Sequence, residues 1–286
     1  MVASLMDPST ESSSPWRFDD AALRRIGSDA AKAYRIAAPF PHVVLDGLFK
    51  PALISSLMLS FPSPADPAWR RSANPLERKL SMDREQDLPA SAVAAIDACN
   101  SRPFLEFLTQ VTGIGGLIAD PYLLGGGLHQ IEPGGLLSIH ADFNHHPIMH
   151  VDRRINLLLY LNDRWEASWG GALELWDRQM KAAVTTVQPI AGRCVIFGTT
   201  DFTYHGHPEP LACPAGMTRR SLALYYYSNG RPAGEVDPTR NNTRFVPRPG
   251  DAWQPPRASW KSRALRWTPP ALAEMARRTR DRVVSQ

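Results

Sequence analysis

Two imidazoles and one carboxylate stand at a spacing that suits a metal ion: His140-Ala141-Asp142, answered by His205 in the run Tyr204-His205-Gly206-His207-Pro208. Extended backbone projects residues i and i+2 to one side, so a strand carrying His-x-Asp aims both side chains at a single point. Two histidines and a carboxylate cap one face of a ferrous ion and leave the opposite positions open for a co-substrate and dioxygen.

Ferrous iron activates dioxygen only when a reductant supplies electrons, and 2-oxoglutarate does so through oxidative decarboxylation. Its distal carboxylate needs a cation and hydroxyls, and the planar fork of arginine meets a carboxylate in two parallel charge-assisted hydrogen bonds. The segment Thr218-Arg219-Arg220-Ser221-Leu222-Ala223-Leu224-Tyr225 offers such a cation. Read as a strand, it puts Arg219, Ser221, Ala223 and Tyr225 on one face and Arg220, Leu222, Leu224 and Tyr226 on the other. The first face combines a cation, a hydroxyl and a small residue, which assigns the distal carboxylate to Arg219 with Ser221. Arg220 is the alternative.

These residues need a frame to bring them together. The chain has 43% hydrophobic and 21% charged residues, with 26 prolines and 19 glycines. That balance fits a globular protein rich in turns. No apolar run approaches the ~18 residues of a membrane span, and the N-terminus lacks the basic-then-apolar pattern of a secretory signal. Cys99, Cys194 and Cys213 are widely spaced; they read as reduced thiols of a cytoplasmic protein. From Thr239 to Gln286 there are eleven Lys and Arg against three acidic residues. No nucleic-acid module accompanies that charge. Trp253, Trp260 and Trp267 are expected to pin the segment to the main domain, and no nucleic-acid partner is expected.

Helical periodicity covers Asp19–Ala38, Pro51–Leu59, Ala90–Cys99 and Pro103–Val111, with a short strand at His42–Asp46 and a long lid-like loop from Phe61 to Asp87. After Gly113 the pattern turns to short strands in close succession: Tyr122–Leu124, Leu128–Ile131, Leu136–Asp142, Ile155–Leu161, Ala172–Trp176, Ala183–Val187, Arg193–Phe197, Phe202–His205 and Arg219–Tyr227. So many closely spaced strands predict a mainly β protein with flanking helices, a sandwich or jelly roll. Four segments follow: a mobile 1–18, a helical flank over 19–119, a β core over 120–228, and a basic extension over 229–286 ending in a helix at Pro270–Val283.

The order His140-x-Asp142, Arg153-x-x-Asn156, Tyr160-Leu161-Asn162, Trp165, Gly170-Gly171-x-Leu-Glu-Leu-Trp176, Pro189, Val195-Ile196-Phe197, Tyr204-His205-Gly206-His207-Pro208 and Arg219-x-Ser221 resembles the 2-oxoglutarate- and Fe(II)-dependent oxygenases of the prolyl 4-hydroxylase-like group. Pro39-Phe40-Pro41-His42-Val43-Val44-Leu45-Asp46 resembles the opening of such domains. The resemblance implies a double-stranded β-helix core with Fe(II) on His140, Asp142 and His205, the last preferred over His207 because a tyrosine precedes it and a glycine follows. It implies that Tyr160 hydrogen-bonds the distal carboxylate beside Arg219, and that the strand start at Asn156 and Arg153 contacts substrate, although Arg153 has the opposite parity. Trp176 is a candidate pocket wall. Many relatives carry a tyrosine nine or ten residues before the first metal histidine; here Gln130 takes that place as a candidate co-substrate ligand, with His129 adjacent. Iron halogenases of this architecture have a small residue in place of the carboxylate, so Asp142 points to hydroxylation.

The implied reaction is that of a dioxygenase, with 2-oxoglutarate and dioxygen as co-substrates and ascorbate as auxiliary reductant. It releases succinate and CO2 and hydroxylates an unactivated C–H bond of a prolyl, amino-acid or small-metabolite substrate. The alternatives are a cupin-like metal enzyme that does not use 2-oxoglutarate and a non-catalytic binding module. His145, His146 and His150 read as a polar loop.

Overall fold

The computed structural model describes residues 16–236 and 242–253. The predicted helix at Pro270–Val283, with Trp260 and Trp267, lies outside the described residues, as does most of the segment 1–18.

Four helices form where helical periodicity predicts them: α1 (Asp20–Ile36), α2 (Pro51–Leu59), α3 (Ala90–Asn100) and α4 (Arg102–Thr112). Asp19 caps α1, its Oδ1 accepting from the amides of Ala21 and Ala22 at 2.8 and 2.9 Å, and Gly113 ends α4 in the left-handed region at φ 74°. The strands are β1 (His42–Leu45), β2 (Arg70–Asn74), β3 (Glu77–Met82), β4 (Ile118–Ala119), β5 (Gly127–Ile131), β6 (Leu136–Ala141), β7 (Asp152–Tyr160), β8 (Leu173–Trp176), β9 (Ala183–Val187), β10 (Cys194–Gly198), β11 (His205–His207), β12 (Arg219–Ser228) and β13 (Arg244–Phe245).

All strands join one antiparallel sheet in the order β1-β10-β7-β12-β5-β3-β6-β11-β8-β9, with β2 on β3, β4 on β12 and β13 on β6. The sheet curls until its far strands face each other. Leu173, Leu175 and Val187 of β8 and β9 share one buried cluster with Tyr160, Val195 and Phe197 of β7 and β10. This is the double-stranded β-helix arrangement, mainly β with flanking helices. Period 2 separates its two faces. Ile155, Leu157 and Leu159 of β7, with Leu222, Leu224 and Tyr226 of β12, pack against Leu53, Ala95, Phe104, Phe107 and Leu108 of the helices. The alternate residues Asn156, Leu158, Ser221 and Tyr225 line the interior.

Three local expectations are corrected. The supposed loop over Phe61–Asp87 contains the β2–β3 hairpin, and β3 sits between β5 and β6. Its polar sequence hid it, because only Leu80 and Met82 of β3 are buried. The overlooked signal was Asn74-Pro75, where Asn74 Oδ1 accepts from the amides of Leu76 and Glu77 at 2.9 and 3.0 Å. Tyr122–Leu124 is a turn, with Leu123 at φ 47°, and the strand lies instead at Ile118–Ala119. Phe202–Tyr204 precede β11, which starts only at His205. β1 and β3 of the 19–119 segment and β13 of the 229–286 segment are strands of the same sheet as the core.

All three cysteines are buried and free. Among the described residues, no helix is long and apolar enough to cross a membrane.

Candidate active site

His140 is the penultimate residue of β6 and pairs across the ladder with His205, the first of β11. Asp142 follows β6 directly. His140 Nε2 lies 3.5 Å from Asp142 Oδ1, and His205 Nε2 lies 3.4 Å from Asp142 Oδ2. The three are buried, and their ligand atoms lie within 4.8 Å of one another; among the described residues they form the one such group of His, Cys, Asp and Glu. Each imidazole is fixed by its own strand. His140 Nδ1 donates to the Ser138 carbonyl at 2.8 Å and His205 Nδ1 to the Thr203 carbonyl at 3.0 Å. With Nδ1 protonated, each Nε2 turns its lone pair toward Asp142, as a metal ligand must. Burial, then the neighbouring His140, pulls the His205 basicity down to about 4, which keeps it neutral and ready to ligate. This donor set fits an octahedral ferrous ion.

Burial opposes a charge on Asp142, yet the Arg153 guanidinium beside it holds its carboxyl well below the usual range. Arg153 Nη2 donates to Asp142 Oδ2 at 3.0 Å, and Asn156 Nδ2 donates to the same oxygen at 2.6 Å. Arg153 also donates to Asn156 Oδ1, from Nε at 2.9 Å and Nη2 at 2.7 Å. The Arg153 guanidinium is stacked 3.4 Å from the Tyr225 ring centroid and 4.6 Å from that of Phe143. Both residues line the cavity, but their polar atoms serve Asp142. The parity expected for Arg153 is corrected. The register of β7 on β12 runs Tyr226↔Ile155 and then Tyr227↔Arg153. Arg154 is the extra residue of a β-bulge, which returns Arg153 to the face of Asn156.

The triad opens into a cavity of about 160 Å³. Arg219 and Ser221 line it, as the alternation on β12 predicts. Arg219 is buried, donating from Nε to the Gly171 carbonyl at 2.6 Å and from Nη2 to the Tyr160 hydroxyl at 3.3 Å. Burial lowers its basicity and Tyr160 works against that loss. Arg220 faces away, with its guanidinium 5.2 Å from the Phe61 ring centroid.

Three expected site residues do not line the cavity: Tyr160 is buried behind Arg219, which it meets through its hydroxyl, and Gln130 and Trp176 face away. Gln130 has the wrong parity on β5. Its Nε2 donates to Thr218 Oγ1 at 2.8 Å, while its neighbours His129 and Ile131 line the interior. Trp176 is likewise on the outer face of β8. It packs with Ile139, Ala141, Met180 and Tyr204 and donates from Nε1 to Glu174 Oε2 at 2.8 Å. The sequence reading overlooked Lys79, Phe143, His129 and Phe245 as lining residues. Period 2 applied to His129 would have found it, and Phe143 stands next to Asp142. Lys79 depended on recognising the hairpin. Phe245, whose ring centroid is 5.7 Å from that of His140, is brought in by β13, which carries no strand signature. His207 also lines the cavity but stays out of the metal group. His146 is buried, with Nδ1 accepting from the amides of Ile148 and Met149, so it organises its own loop.

Comparison with known proteins agrees with this geometry. Residues 126–227 match the family model of the 2OG-Fe(II) oxygenase superfamily. No curated protein gives a significant match. Among solved structures, a Pseudomonas putida prolyl-4-hydroxylase superposes with a TM-score of 0.51 at 16% identity, covering 71% of this chain and 100% of that one. A Trichoplax adhaerens prolyl hydroxylase, solved with a hypoxia inducible factor peptide fragment, gives 0.52 at 15%, covering 73% and 91%. A prolyl 4-hydroxylase from Phytophthora capsici gives 0.53 at 19%, covering 73% and 65%. At these identities the likeness shows the shared fold. The stretch 126–227 thus matches a 2OG-Fe(II) oxygenase domain and contains the whole His-Asp-His cluster, which supports the activity of a 2-oxoglutarate- and Fe(II)-dependent dioxygenase.

Proposed function

We propose that His140, Asp142 and His205 hold the ferrous ion, that Arg219, Ser221 and Tyr160 hold the distal carboxylate of 2-oxoglutarate, and that the enzyme couples decarboxylation to succinate and CO2 with hydroxylation of a C–H bond. The observation that carries the reading is the convergence of the three ligands at one end of a cavity whose other wall is the buried cation Arg219. When bound, the iron supplies dioxygen activation and a Lewis-acidic centre. The protein supplies the rest. The Ser138 and Thr203 carbonyls orient the imidazoles. Arg153 and Asn156 keep Asp142 ionised and directed. Phe197 and Phe245, on His205 and His140 respectively, restrict water. Having a carboxylate at 142 supports hydroxylation over halogenation. Structural neighbours that act on prolyl residues support a peptidyl or small-molecule substrate, and three buried free thiols support residence in the cytoplasm.

The test is succinate release with Fe(II), 2-oxoglutarate and ascorbate. Asp142→Ala is expected to drop turnover to background. Arg219→Leu, losing a charge-assisted hydrogen-bonded pair of about 1.5–3 kcal/mol, is expected to raise the KM for 2-oxoglutarate roughly 10- to 100-fold. Equal 2-oxoglutarate turnover by Asp142→Ala and wild type would overturn the assignment.

A further inference from the structure

One wall of the cavity holds a buried polar group that the reading above leaves unused. His129 of β5 lines the cavity, and its Nε2 is buried without a hydrogen-bond partner. In the sheet register His129 stands opposite Ser221 of β12, which in turn stands opposite Tyr160 of β7. Arg219 pairs with Ile131, the next cavity-facing position along β5. Tyr160, Ser221 and His129 therefore form one cross-strand row beside the cation. The first two are the hydroxyls assigned to the distal carboxylate, so the imidazole is the third polar group of that row.

We propose that His129 completes the distal-carboxylate site and takes up one solvent proton as 2-oxoglutarate binds, so that co-substrate and proton enter together. The inference rests on the co-substrate reading given above. Its chemistry follows from what surrounds the ring. The acceptors facing it are the main-chain carbonyls of Gly125 and Gly126. A neutral imidazole has one N–H, whereas serving a carbonyl on one side and a carboxylate on the other takes two. The charged groups that act on the ring are Lys79 of β3, paired with Glu77 at 3.1 Å, and Arg219 of β12; His207 of β11 lines the same cavity, and Tyr160 of β7 shares the cross-strand row. Without the dicarboxylate, burial first and Lys79 next hold the ring well below the ordinary histidine range, with Arg219 adding to them. An arriving carboxylate reverses that balance by neutralising Arg219 and offering an acceptor. The added proton comes from water or buffer and forms a new N–H bond on the ring. No electrons change hands.

The sign of the pH dependence follows. With the ring neutral in the free enzyme and protonated in the complex, affinity falls about tenfold per pH unit as pH rises between the free and bound values. Outside that window it is flat.

The experiment is calorimetric titration of 2-oxoglutarate into protein saturated with Zn(II), which is redox-silent, at pH 7 in buffers of different ionisation enthalpy. Wild type is expected to take up about one proton per dicarboxylate. His129→Gln, whose amide donates without titrating, is expected to bind with buffer-independent heat and a pH-independent Kd. Saturable wild-type binding with buffer-independent heat would overturn the role of His129 alone, as would unchanged proton uptake in His129→Gln. No saturable binding at all would overturn the co-substrate assignment itself.

Discussion

At the scale of single residues, the buried trio Asp142, Arg153 and Asn156 carries the most consequence. Asp142 must remain a carboxylate inside the curled sheet, where burying an unpaired charge is costly. Arg153 supplies the opposite charge and Asn156 a hydrogen bond to the same oxygen. Such support beneath metal ligands commonly governs affinity for the ion. Arg153→Met keeps stem volume but removes the charge. It is expected to destabilise the metal-free protein by about 3 kcal/mol, the typical cost of breaking a buried pair. Saturating Co(II) is expected to recover much of that loss, because the ion compensates the orphaned carboxylate. Denaturant unfolding with and without Co(II) checks this. An equal loss in both states would show that Arg153 acts by packing on Tyr225 and Phe143.

At the scale of elements, period-2 alternation decides which residues meet the interior, and bulges and tight turns adjust it. Arg219, Ser221, His129 and Leu158 are interior by parity, whereas Arg220, Gln130 and Trp176 are exterior by the same rule. The bulge at Arg154 shows how one extra residue reassigns a side chain. Gly171, just before β8, holds Arg219 from the opposite wall. It has φ 73°, and a Cβ there would lie 2.6 Å from Leu211 Cδ2 and 3.0 Å from Arg219 Cδ. Gly171→Ala is therefore expected to push Arg219 off the Gly171 carbonyl. Losing that positioning bond, about 1.4 kcal/mol, should weaken 2-oxoglutarate binding roughly tenfold. Metal affinity should be unchanged, since neither neighbour touches the triad. Separate calorimetric titrations of metal and co-substrate test the split.

At the scale of the whole molecule, the curled sheet brings together residues that are distant in sequence. β6, β11 and β12 deliver the triad and Arg219, helices α1 to α4 cover the outer face of β7 and β12, and the strands that build the site fall within the unit Met1–Gly250. His140, Asp142, His205 and Arg219 all belong to that unit. A chain ending at Gly250 is expected to bind Co(II) with unchanged affinity and to unfold within about 0.5 kcal/mol of the full chain. Cobalt absorption titration and chemical denaturation measure both. A large loss of metal affinity would show that residues 251–286 support the site.

Local pattern determined much of this protein. Helical periodicity, strand alternation, His-x-Asp on an extended segment, and a cation next to a hydroxyl at i+2 are properties of short stretches, legible without any partner. The tertiary structure decided what depends on pairing between distant stretches. It placed the β2–β3 hairpin inside the sheet despite its polar sequence. It turned Arg153 inward through a bulge visible only in the register with β12, and it selected His129 over Gln130 by the face β5 presents between β3 and β12. It also brought Phe245 beside His140 through β13, a two-residue strand. The physical reason is common to all four: a side chain's direction follows from local backbone, but the environment it enters is created by strands far away in the sequence.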